Sequence, residues 1–125
     1  MRAARFFRFA AGLVFALLGA STATGESCRI AYDMGSSGIR AGATGSAVTA
    51  QAGIDYLDPL WAGRGLEETV EPTIAALNDL PRGAGFPAGC ARVGGGFSAW
   101  RLALEQDAGQ LAATLARIRA ASGVA

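Results

Sequence analysis

Histidine is missing from all 125 residues. Its absence excludes a histidine general base, a Ser/His/Asp triad and any histidine-ligated metal within the chain. Lysine is missing too, so the eleven basic residues are all arginine. Alongside the abundance of alanine and 18 glycines, that reads as a coding bias and not as function. Cysteine occurs only at Cys28 and Cys90, too few for a metal site of its own. No basic patch or stripe marks a nucleic-acid partner, and none is expected. Long apolar runs are scarce as well. The one candidate, Phe9 to Ala20, is about a dozen residues, short of the roughly 20 that a membrane span requires.

That run reads instead as an export signal. Arg2, Arg5 and Arg8 give it a positive start, and Ser21-Thr22-Ala23 supplies small residues before a cleavage point. Residues 1–23 are expected to be a signal peptide, with an uncleaved anchor as the alternative. Residues 24–125 then form one domain or a piece of one, periplasmic or secreted, that meets the membrane only through the signal. Three of the eleven basic residues leave with the signal and all ten acidic residues stay, so the mature chain is near −2. In an exported chain, Cys28 and Cys90 are expected to pair with each other, as a structural staple.

The most informative stretch runs from Ile30 to Arg40. A short apolar run ends at Asp33, Gly35-Ser36-Ser37-Gly38 makes a turn, and a second run opens at Ile39. This predicts a hairpin with a carboxylate at its mouth and unhindered backbone N–H groups beside it. Gly35 and Gly38 let the backbone approach an anion, Ser36 and Ser37 add hydroxyl donors, and Asp33 can hold a hydrated divalent cation, Mg2+ or another, that bridges to phosphate. The bland alternative is an ordinary hairpin turn.

Further along, Ala47 to Ala50 and Ile54 to Leu57 read as weak strands, and Trp61 to Gly65 as a loop. A helix is expected from Thr69, capped by that residue, with Val70, Ile74, Leu77 and Leu80 on one face and an end at Pro81, Gly83 and Gly85. Cys90 to Val93 reads as a buried strand before Gly94-Gly95-Gly96. One long helix is expected from Ser98 to Ser122, with Leu104, Ala108, Leu111, Leu115 and Ile118 as its stripe. Val124 and Ala125 look like the first residues of another strand. The order predicts an α/β fold with an incomplete sheet.

These residues resemble the exopolyphosphatase and guanosine pentaphosphate phosphatase family, within the superfamily of actin, sugar kinases and heat-shock chaperone ATPases. The family's first phosphate loop, Asp-x-Gly-Ser-Asn-Ser-x-Arg, is similar to Asp33-Met34-Gly35-Ser36-Ser37-Gly38-Ile39-Arg40. Ser37 replaces an asparagine and Gly38 a serine, so one hydroxyl is lost. Leu60 to Leu66 resembles a Leu-Gly-x-Gly-Leu approach to the first helix. Ser98, Ala99, Arg101 and Ala103 match a segment like Ala-Thr-Ser-Ala-x-Arg-x-Ala, with Phe97 at the threonine position. Arg119 to Val124 looks like the family's lead into its next strand.

The resemblance implies a ribonuclease-H-like, actin-like ATPase half-domain of βββαβα order that covers only the opening part of the family's first domain. It implies phosphate binding by Gly35, Ser36, Ser37, Gly38, Arg40 and Arg101, a metal held by Asp33 through water, and a phosphate-containing small molecule or polyphosphate as partner. The family's catalytic glutamate and second phosphate loop fall beyond Ala125 in this alignment. No catalytic residue is therefore expected here, and a chain stopping inside the domain is expected to be inactive alone and to associate through an uncovered last helix. The implied topology also makes the strands behind Cys28 and Cys90 parallel neighbours, which agrees with the expected pairing. A non-catalytic exported binding or structural domain, stapled by one disulfide, is the alternative function.

Overall fold

The structure is a computed structural model that describes residues 27–125. The expected signal, residues 1–23, lies outside the described residues. Strand β1 (Arg29–Met34) sets the layer plan by simple alternation: Ile30, Tyr32 and Met34 are buried, while Arg29, Ala31 and Asp33 are exposed. Strand β2 (Gly38–Ala43) returns antiparallel to β1, and β3 (Thr49–Gly53) pairs antiparallel with β2. Strand β4 (Ala91–Gly96) lies parallel to β1 on its other side, giving the order β3-β2-β1-β4. Helices α1 (Leu57–Trp61), α2 (Val70–Gly83), α3 (Ala99–Gln106) and α4 (Ala108–Ser122) pack on the face that carries Ile30, Tyr32 and Ile39. The expected α/β class and four-stranded sheet are present.

Several boundaries differ from the sequence reading, each for a local reason. The strand expected at Ala47 to Ala50 is present but shifted, as β3 over Thr49–Gly53, and the one expected at Ile54 to Leu57 is not a strand. Residues 57–61 are instead helical, because the Asp55 carboxylate accepts the N–H groups of Leu57 (3.0 Å) and Asp58 (3.1 Å), and Pro59 fits a first turn. Thr69 precedes α2 but does not cap it with its side chain. Its hydroxyl donates back to the Leu66 carbonyl at 2.6 Å. The long final helix is two helices, broken at Asp107, whose side chain accepts Gln110 N–H at 3.0 Å and caps α4. Leu104 therefore stands exposed on α3 while Leu111 and Ile118 are buried on α4.

Pro81 does not end α2, which runs two residues further to Gly83. Proline has no N–H to offer the carbonyl four residues back, that of Leu77. The buried Tyr32 hydroxyl donates to that carbonyl at 2.9 Å and so joins the centre of β1 to α2. On the same face, Arg92 reaches Asn78 Oδ1 (3.1 Å) and the Ser122 carbonyl (2.9 Å), placing a cation at the negative end of α4. Asn78 in turn donates to the Ala121 carbonyl at 3.2 Å.

Tyr56 and Trp100 fill the space between α1, α2 and α3, their ring centroids 4.9 Å apart and tilted by 57°. Both are buried. The Tyr56 hydroxyl lies 2.7 Å from Thr73 Oγ1, which itself donates to the Thr69 carbonyl at 2.7 Å. Thr73 has one proton, so Tyr56 is the donor of the pair.

Cys28 precedes β1 and Cys90 precedes β4, and the two are disulfide-bonded with Cα atoms 4.8 Å apart. The expected pairing is present. It joins positions 62 apart in sequence, at the ends of β1 and β4 remote from the Gly/Ser turn.

Two predictions follow from these contacts. Replacing Cys28 and Cys90 together with Ser should lower the unfolding free energy by about 3–4 kcal/mol, measured by urea unfolding, because the open loop regains chain entropy. Burial pushes the Tyr56 hydroxyl up to about 12. An unfolded chain ionises that group near pH 10, so its share of stability is complete below pH 10 and lost as pH rises towards 12. Tyr56→Phe should therefore lose about 2–3 kcal/mol less stability than the parent chain across that interval. Tyr32, also raised by burial, keeps its own alkaline dependence in both proteins.

Candidate functional site

The turn between β1 and β2 is held from outside by the chain that follows β3. Gly35 N–H donates to the Gly38 carbonyl at 2.9 Å and closes the turn. The carbonyls of Ser37 and Ser36 then accept Ile54 N–H (3.0 Å) and Tyr56 N–H (3.1 Å). With those carbonyls committed, the N–H groups of Ser36 and Ser37 have no backbone acceptor among the described residues. They are free donors on a braced turn, the arrangement that makes an anion-binding concavity.

Two of the glycines do different work. Gly38 has φ +151°, and a Cβ there would stand 2.0 Å from the Ala52 carbonyl oxygen, so glycine is demanded by the passage of β3. A Cβ on Gly35 would meet nothing within 4 Å. Gly35 is therefore not required by packing, and its bare backbone opens onto the cavity beside the turn.

That cavity has a volume of about 350 Å³ and is lined by Asp33, Gly35, Ser37, Gly38, Arg40, Gln51 and Gly53, among others. Strand register explains its polar row. Asp33 stands opposite Arg40 on β2, and Arg40 stands opposite Gln51 on β3. All three are exposed on the sheet face away from the helices. A carboxylate, a guanidinium and an amide thus share one line across three strands, each pair at the spacing of cross-strand neighbours. The structure brings together Asp33, Gly35, Ser37, Gly38 and Arg40. Ser36 is part of the turn but not of the cavity wall.

Arg101 is not brought to this cavity. It lies on the first turn of α3, its guanidinium 5.9 Å from the Phe97 ring centroid, and lines a separate cavity of about 200 Å³ with Met34, Gly95, Gly96 and Trp100. The first cavity lies beside the C-terminal end of β1, against β2 and β3, and the second at the C-terminal end of β4, the end of a parallel pair where open α/β sheets collect ligands. Ser98, where the last helix is expected to start, makes no side-chain cap bond. It has φ 52° and ψ −101°, and Trp100 N–H donates to the Phe97 carbonyl at 3.1 Å. This is a II′-type turn with serine where glycine is usual. Such strain costs on the order of 1 kcal/mol and is carried by the junction between β4 and α3.

Gln51 was not singled out from the sequence. It lies between Ala50 and Ala52, outside both strands expected from the sequence, and the register is what gives it meaning.

Chemically, the free N–H groups and Arg40 attract an anion, while Asp33 repels one unless a cation stands between. Among the described residues no three His, Cys, Asp or Glu side chains gather as a metal cluster. Asp33 fits a divalent cation held through water, with the anion itself supplying other ligands. Comparison of the chain with family models, with curated proteins and with solved structures finds no match.

The two glycines give a test of the turn. Gly38→Ala should cost about 3 kcal/mol or more, because both its backbone angle and the Ala52 oxygen oppose a side chain. Gly35→Ala should change the urea midpoint by the equivalent of less than about 1 kcal/mol.

Proposed function

We propose that the domain binds the phosphate groups of a small molecule or of polyphosphate, with a divalent cation such as Mg2+ bridging Asp33 to the ligand. The observation that carries this reading is the braced turn. Its carbonyls are turned to residues 54–56, its Ser36 and Ser37 N–H groups are free, and it opens with Arg40 and Asp33 onto one cavity. Gly35 and Ser37 contact the phosphate, Ser37 through its N–H group, and Arg40 supplies charge, while Ser36 holds the turn through its carbonyl. Gly38 shapes the turn, and Arg101, in the neighbouring cavity, acts only on a ligand long enough to cross the ends of β1 and β4.

The order of elements supports a finer fold assignment. Three antiparallel strands in sequence, then a crossover to a strand parallel with the first, match the opening of a ribonuclease-H-like sheet as in actin-like ATPases. Within that reading the chain is the phosphate-binding part of an exopolyphosphatase-like phosphohydrolase. The disulfide agrees with an oxidising compartment, and with residues 1–23 as an export signal it supports a periplasmic or secreted protein.

Isothermal titration with pyrophosphate, with and without Mg2+, tests the site. Arg40→Ala should weaken binding about tenfold or more, since a hydrogen bond to a charged group is lost. Asp33→Asn should abolish the enhancement by Mg2+ while leaving metal-free binding equal or tighter, because the repulsion leaves with the charge. Gly35→Ala should weaken binding in a fully folded protein. Binding that none of the three substitutions alters would overturn the site.

A further inference from the structure

Strand β3 forms the edge of the sheet opposite β4, and its outer backbone is unpaired along its length. Ile54 N–H donates to the Ser37 carbonyl at 3.0 Å, so position 54 is bonded towards β2, and by the two-residue alternation of an antiparallel ladder Ala52 and Ala50 are as well. The N–H and C=O groups of Thr49, Gln51 and Gly53 therefore point away from β2, and none has a backbone partner among the described residues. The edge also lacks the usual guards, since Thr49-Ala50-Gln51-Ala52-Gly53 has no charge and no proline.

These outward groups are symmetric about Gln51. A two-fold axis at that residue pairs two copies of β3 antiparallel, Gln51 against the partner's Gln51 and Thr49 against the partner's Gly53, and every outward group finds a partner. The Gln51 side chain, exposed on the outer face, is donor and acceptor at once and meets its own copy across the axis. On the helical side the same register sets Val48 against the partner's Ile54 and Ala50 against the partner's Ala52. Val48 is 51% exposed, and it lines with Ile54 a groove of about 500 Å³ between β3 and α2, walled by Pro72, Ala76, Leu80 and Ala84.

Helix α2 fits the same axis. It packs on β2 and β3 together, which sets it about half a strand spacing inside the edge. The axis lies half a spacing outside, so two copies of α2 come about 10 Å apart, the separation of packed helices. Pro72, Ala75, Ala76 and Gly83 are small enough on that side for the approach. The two helices run antiparallel, so the acidic start of one, with Glu68 and Glu71, lies towards Arg82 at the end of the other, all three side chains being exposed in the single copy. A lone peptide strand would satisfy the backbone and leave the groove open, whereas a second copy brings strand, Val48 and helix together. We propose that the chain forms a two-fold dimer through β3 and α2, which joins two four-stranded sheets into one.

Sedimentation velocity of the full chain over a wide concentration range should show a monomer–dimer equilibrium. Val48→Lys sets a charge against the partner's Ile54 and should weaken the dimer about tenfold or more, with the urea midpoint of the dilute protein unchanged. Gln51→Cys places two sulfurs across the axis, where the Cα atoms of such a pair stand about 5.5 Å apart, and should give a covalent dimer on oxidation. Thr49→Cys, which faces the partner's Gly53, should not. A chain that stays monomeric, or a dimer that Val48→Lys leaves intact, would overturn the proposal. So would a dimer in which Gln51→Cys stays uncrosslinked, the result expected if two copies met through the last helix.

Discussion

The seating of α2 on the sheet depends on a hydrogen bond that a proline makes available. Pro81 strips the Leu77 carbonyl of its helical partner, and the Tyr32 hydroxyl takes that place from the middle of β1. A buried carbonyl left alone would cost about 1–3 kcal/mol, as would a buried tyrosine hydroxyl without an acceptor. Each solves the other's problem, and the solution admits only one position of the helix over the strand. The remaining layer follows. Arg92 and Asn78 join α2 to the end of α4, and Tyr56 with Thr73 closes the far side against α1.

With the helical face so occupied, the opposite face of the sheet is left to polar and small residues. The turn after β1 is consequently shaped by main chain more than by side chains: residues 54 and 56 take its carbonyls, and β3 passes so close that position 38 admits only glycine. Rigidity at the turn is thus imported from the far edge of the sheet. The strained Ser98 does the corresponding work after β4, where the chain turns sharply enough to start α3 directly over the strand end.

How much of this the sequence discloses depends on how strongly each residue is constrained. The alternation of Ile30, Tyr32 and Met34, the Gly/Ser turn and the cysteine pair could all be read, because each follows from a local rule. The course of β3 could not, because Ala50, Ala52 and Gly53 carry almost no strand preference and their position is dictated by pairing with β2. The break between α3 and α4 was hidden because Leu104 and Leu111 keep helical spacing across Asp107, and only the cap shows that the two belong to different faces. Asp55 was legible in principle, as a capping residue ahead of Pro59. The separation of Arg101 from the cavity of Asp33 and Arg40 was not, since it depends on which side of β4 the chain leaves.

The disulfide has a consequence beyond holding two strand ends together. It ties the first strand of the domain to the last one, across nearly the whole of β2, β3 and α2, so it can form only after a long stretch of chain has been made. In a thiol-reducing environment the parallel pair β1 and β4 must find itself by slow, long-range contact alone. Where thiols oxidise, the same encounter is captured covalently. The maturity of the sheet is thereby tied to the redox state of its surroundings.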